Sequence, residues 1–150
     1  MPDSPDVGHK RDGYYFEDLR VGMTSEYSRT VDEADIAQFS QVSGDTNPVH
    51  LDEEYAKKSV FGGRVAHGML SASFISKVLG TQLPGIGCIY MEQNLRFKAP
   101  VRLGDTVDTV VEVTELEAEK HRARLHTVCR VGDKVVIDGN ALVLVPPRKR

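Results

Sequence analysis

Apolar residues follow two regimes along the chain, helical spacing in the first half and alternation in the second. Ile36, Phe39 and Val42 stand three positions apart, the spacing of one helix face. Thr24 to Val31, just before them, reads as a short strand. Thr30-Val31-Asp32-Glu33 then matches a capping box, Ser/Thr followed three positions later by Glu. Gly44 marks the predicted helix end, where a glycine commonly follows the last turn. From Gly68 to Leu79, the apolar Met69, Leu70, Ala72, Phe74, Ile75, Val78 and Leu79 cover nearly every face. A helix that is apolar all round is a buried one.

Beyond Pro84-Gly85 the pattern predicts sheet, with strands near 87–97, 106–116, 121–131 and 134–145. Val107, Thr109, Val111 and Val113 alternate onto one face of the second. Val131-Gly132-Asp133-Lys134 is a hairpin turn signal, and Pro146-Pro147 ends the ladder because proline cannot donate to it. Between the two long helices, residues 44–51 (GDTNPVHL) are expected to form a loop, since Pro48 disfavours a helical Asn47. A short helix from about Asp52 to Lys58 and a turn at Gly62-Gly63 follow. The sum is an α+β plan, an antiparallel sheet wrapped around one long buried helix. Residues 1–13 lack periodicity and are expected to be a flexible arm, with the domain at 14–146. Residues 147–150, holding Arg148, Lys149 and Arg150, are expected to be a solvated basic tail.

Composition narrows the function classes. A chain of 150 residues suits one domain with a real core. A net charge of −3 gives no footprint for nucleic acid or an anionic membrane. No stretch approaches the roughly 18 apolar residues that span a bilayer, and the first 12 residues lack a secretory leader pattern. Cys88 and Cys129 lack zinc-ligand spacing. The expectation is a cytoplasmic protein with two free thiols and no nucleic-acid or membrane partner.

Four chemistry-bearing residues, Asp45, Asn47, His50 and Asp52, crowd into the loop. A carboxylate and an imidazole on a chain bent by Asn47-Pro48 can converge on one small molecule and exchange protons near neutral pH. The alternative is that Asp45 and Asn47 only stabilise a turn; a metal site is a weaker third reading. Asp52 is read as a helix cap. Ala66-His67-Gly68-Met69 opens the buried helix, where unpaired N–H groups point outward. There the Gly68 N–H could serve as an oxyanion donor, or Gly68 could simply permit tight packing. His67 is expected to satisfy a backbone group. Arg96 and Lys98, alternating with Leu95 and Phe97, could meet the phosphates of a nucleotide-bearing substrate or lie on a wet face. His121 and His126, among Arg122, Arg124 and Arg130, suggest a solvated sheet face.

The segment Phe39-Ser40-Gln41-Val42-Ser43-Gly44-Asp45-Thr46-Asn47-Pro48-Val49-His50-Leu51-Asp52 resembles the hydratase signature of MaoC-like (R)-specific enoyl-CoA hydratases. Val65-Ala66-His67-Gly68-Met69-Leu70 and Phe97-Lys98-Ala99-Pro100-Val101, with Leu103-Gly104-Asp105 beyond, resemble two further blocks of that family. The resemblance implies a single hot-dog fold with an overhanging catalytic segment, paired as a homodimer around an acyl-CoA thioester. It implies that Asp45 and His50 activate one water, that the Gly68 N–H stabilises the thioester oxygen, and that Asn47 orients the loop, with no cofactor or metal. Acyl carrier protein is a possible substrate carrier in place of CoA. The acyl pocket is expected between Tyr55–Phe61 and the central helix, where Ala72 and Ser73 are small. A thioesterase would need a carboxylate on the helix, and 68–79 holds none. A non-catalytic acyl-CoA-binding protein is the rival from outside enzymology.

Overall fold

The computed structural model describes residues 13–148. Residues 1–12 of the expected arm, with His9, and Lys149 and Arg150 of the expected tail lie outside them. A 3-10 turn at Phe16–Asp18 leads into β1 (Thr24–Thr30). Four helices follow, α1 (Glu33–Ser43), α2 (Pro48–Leu51), α3 (Glu53–Lys57) and α4 (Gly68–Thr81). Then come β2 (Ile89–Phe97), β3 (Thr106–Glu117), β4 (Arg122–Val131) and β5 (Lys134–Leu144). All strand pairs are antiparallel in one five-stranded sheet of order β1-β3-β4-β5-β2. Strands β1 and β2, the earliest in the chain, therefore form its two edges.

The sheet curls around α4, which packs against β3, β2, β4 and β1. Ile75, Val78 and Leu79 of the helix are at most 1% exposed. They meet Val107, Val111 and Val113 of β3, Leu125 and Cys129 of β4, and Ile137 and Val143 of β5 in a single core. The alternation predicted for β3 holds: Val107, Thr109, Val111 and Val113 are all fully buried. The Gly132-Asp133 turn closes β4 onto β5, with Val131 opposite Lys134. The helix is not apolar to solvent all round, however. Met69, Ser73, Ser76 and Lys77 form an open side.

Two expectations need correction. The N-cap of α1 is Asp32, not Thr30: Asp32 accepts from the Asp35 N–H, and Asp35 answers to the Asp32 backbone. Thr30 is held extended at the end of β1 opposite Thr106, with their hydroxyls 2.7 Å apart. Sheet pairing thus delays the helix by two residues. Residues 44–51 are not wholly loop either, because Pro48–Leu51 forms a helical turn. Pro48 keeps Asn47 non-helical, as expected, but sits at the first helical position, where a proline's missing N–H costs nothing.

Arg148, expected in a solvated tail, instead lies over the Tyr15 ring and donates its backbone N–H to Glu17 and its guanidinium to Asp18. His121 packs edge-on against Phe16 at 5.4 Å. His126 is half-exposed and contacts Asp138 at 2.7 Å on the outer sheet face. Among the described residues no helix is long and apolar enough to cross a membrane.

Candidate active site

Three hydrogen bonds shape the loop after α1. The Ser43 hydroxyl accepts from the Asp45 N–H (3.1 Å), Asp45 Oδ1 from the Asn47 N–H (3.2 Å), and Asn47 Oδ1 from the Val49 N–H (3.1 Å). Asn47 is thereby the cap of α2, whose short turn carries His50 inward. Asp52 caps α3 by accepting from the Tyr55 N–H, as expected. The Asx-turn reading and the convergence reading are both realised: the same bonds that make the turn bring Asp45 and His50 together.

His50 is 9% exposed, and its Nδ1 lies 2.8 Å from the Val65 carbonyl oxygen. A carbonyl only accepts, so Nδ1 carries the proton and the neutral ring keeps its lone pair on Nε2. His67 stacks on this ring, with centroids 3.8 Å apart and planes 26° from parallel. Its Nε2 is 3.1 Å from the Asp45 carbonyl oxygen and 3.0 Å from the Ser40 hydroxyl. His67 therefore does satisfy a backbone group, that of the acid's own residue. Burial pushes the His67 pKa down, which favours the neutral ring.

The sequence did not reveal Arg64 as a site residue. Its Nε donates to the His50 carbonyl at 2.7 Å, while its two terminal nitrogens clasp the Glu33 carboxylate at 2.8 and 2.9 Å. The guanidinium thus ties the start of α1 to the turn bearing His50. A lone arginine after Gly62-Gly63 gives no hint of this, because Glu33 lies 31 positions upstream.

Asp45, Asn47, His50 and Gly68 line one cavity of about 570 Å³. Its walls are largely apolar, with Val49, Val65, Val101 and Ile137 among them. Gly68 is the first residue of α4, so its N–H belongs to the unpaired helix start. A Cβ there would come within 2.8 Å of the Phe97 ring, so glycine is what admits the ring. Lys98 lines the cavity, whereas Arg96 stays outside it on β2, opposite Asp138. The expected pocket lining also shifts. Phe61 contributes but Tyr55 does not, and Ala72 and Ser73 turn into a separate groove with Met91 and Leu95.

Asp45, His50 and His67 offer donor atoms within 4.8 Å of one another. The two imidazoles stack with their planes 26° from parallel, and each keeps one nitrogen on a backbone carbonyl. A water hydrogen-bonded between Asp45 and His50 fits this arrangement.

Comparison with known proteins agrees with this geometry. The model of the MaoC like domain matches residues 19–136. The chain is 54% identical over 135 residues to an (R)-specific enoyl-CoA hydratase of Rhodospirillum rubrum, spanning 90% of this chain and 94% of that one. It is 51% identical to a 3-hydroxybutyryl-CoA dehydratase of Methylorubrum extorquens, over 90% and 86% of the two chains. The solved (R)-hydratase of Aeromonas caviae superposes with a TM-score of 0.83 at 43% identity, covering 85% of this chain and 98% of that one. The sheet curled around α4 is accordingly a hot-dog fold, and the chain belongs to the MaoC-like family.

Proposed function

We propose that this protein reversibly adds water to trans-2-enoyl-CoA, giving (R)-3-hydroxyacyl-CoA. The observation that carries the reading is His50, its Nδ1 held by the Val65 carbonyl and a donor atom within 4.8 Å of Asp45, at the wall of an apolar cavity that also holds the start of α4. A water held between the two is oriented and made more nucleophilic as a proton passes toward the pair. Its oxygen attacks C3, and a proton reaches C2 on the same face. Negative charge develops on the thioester oxygen meanwhile, and the Gly68 N–H, in a helix start's positive field, donates to it. Asn47 holds the loop that presents Asp45. Lys98 at the cavity, just past the end of β2, is the cation for the CoA phosphates, and Arg96 within β2 is the second candidate.

We place the enzyme in the cytoplasm as a homodimer. The free edge of β2 supports pairing: Ile89, Tyr90 and Met91 are 57%, 39% and 45% exposed along a strand that hydrogen-bonds only to β5. Exposed apolar edges are where another strand adds. The unpaired Cys88 and Cys129, both with pKa raised by burial, suit a reducing compartment.

Hydration of crotonyl-CoA, followed by loss of the enoyl-thioester absorbance with product chirality assigned, tests the reading. Wild type is expected to form the (R) product, with Asp45→Asn and His50→Gln each slower by about 10²–10⁴-fold, the usual worth of a general acid or base. A folded protein that binds acyl-CoA but turns over no enoyl-CoA would favour a substrate on acyl carrier protein or a binding role.

A further inference from the structure

Two buried polar atoms in the cavity wall have no use in the reaction as described. Among the described residues, His67 Nδ1 and Ser71 Oγ find no hydrogen-bond partner, in residues 2% and 1% exposed. Both residues line the cavity that holds Asp45 and His50, together with Val65, Val101 and Ile137. Serines in helices commonly escape such isolation by bonding to the preceding turn. Ser73 and Thr81 of α4 do so, to the carbonyls of Leu70 and Lys77. Ser71 does not.

The two orphans are complementary. Nε2 of His67 faces the Asp45 carbonyl, which can only accept, so the proton sits there and Nδ1 is left as an acceptor. The Ser71 hydroxyl can donate or accept. Ser71 follows His67, the extended N-cap of α4, by four positions. Ser71 lies three residues, about 4.5 Å along the axis, beyond Gly68. A thioester oxygen at the Gly68 N–H would therefore run its acyl chain past this wall.

We propose that His67 and Ser71 form a polar subsite for the acyl chain, taking a hydroxyl or carbonyl group carried beyond the reacting double bond. The inference rests on the hydratase reading for the identity of the ligand. It makes the cavity selective: an alkyl chain would strand both atoms without partners, whereas a polar substituent satisfies them. Sites built to hydrogen-bond a substrate group discriminate in this way against analogues that lack it.

The test uses two saturated thioesters of equal heavy-atom count, 4-oxopentanoyl-CoA and 4-methylpentanoyl-CoA, titrated calorimetrically into wild type and Ser71→Ala. Alanine is a strong helix former, so the variant is expected to fold. The ratio of the two dissociation constants should shift about tenfold against the oxo ligand in Ser71→Ala, the worth of one hydrogen bond. A ratio unchanged within about twofold overturns the subsite and leaves the orphans to an ordered water. Binding without chemistry separates the two claims. Failure to hydrate pent-2-enoyl-CoA would sink the hydratase reading, while the binding ratio would still decide the subsite.

Discussion

Arg64 offers the sharpest test of how the fold positions its catalytic loop. Replacing it by alanine removes a short bond from Nε to the His50 carbonyl and a two-pronged contact with Glu33. The first involves a charged donor whose side chain is only 13% exposed, and is worth about 1.5–3 kcal/mol. The second is discounted, because the Glu33 side chain is 62% exposed; such a pair contributes roughly 0.5 kcal/mol. Arg64→Ala should therefore cost about 2–3.5 kcal/mol, or about 4–14 °C in melting temperature for a domain of this size. Its effect on activity should be larger than a uniform loosening implies. The freed His50 carbonyl lets α2 shift, and a displacement near 1 Å at a reacting group costs about 100-fold. The expected result is a kcat reduced about 10- to 100-fold with KM little changed. Glu33→Gln, which leaves the Nε bond intact, should stay within about twofold in kcat. Urea unfolding and crotonyl-CoA hydration measure both quantities. Arg64→Ala with wild-type kcat and a loss under about 0.5 kcal/mol would refute the idea that this guanidinium holds the loop.

Acid sensitivity should trace in part to His67, which the fold holds as a neutral ring against His50 and the Asp45 backbone. Burial lowers its folded pKa, so below the ordinary value of 6.5 the unfolded chain binds a proton that the folded one resists. Stability contributed by this group is thus complete above pH 6.5 and declines as the pH falls through it. Unfolding free energies between pH 7 and 5 should drop less in His67→Gln than in wild type; parallel curves would remove His67 as the cause. For the β2 edge, Met91→Glu should convert a dimer to a monomer in sedimentation or light scattering, since charge blunts an exposed edge strand. An unaltered dimer mass would move the interface elsewhere.

Periodicity alone was enough for the architecture. The alternation through Val107 to Val113 and the apolar positions from Leu70 to Leu79 each bury a set of residues that no other local structure would bury together. Turn chemistry was equally legible, because Gly132-Asp133, Asn47-Pro48 and Gly44 constrain backbone angles within a few residues of themselves. The crowding of Asp45 and His50 was visible for the same reason. What sequence could not supply were partners set by tertiary packing. Thr30 lost its capping role to Asp32 because β1 pairs with β3, some 76 positions away. Ala72 and Ser73 were assigned to the wrong cavity because helix rotation is decided by the core, not by side-chain size. Arg64 gained its role, and Ser71 Oγ and His67 Nδ1 were left without partners, only when α1, the His50 turn and α4 were brought together. Local rules act through the chain and can be read from it, whereas the tautomer of a buried imidazole or the isolation of a hydroxyl depends on whichever distant residues the packing brings alongside.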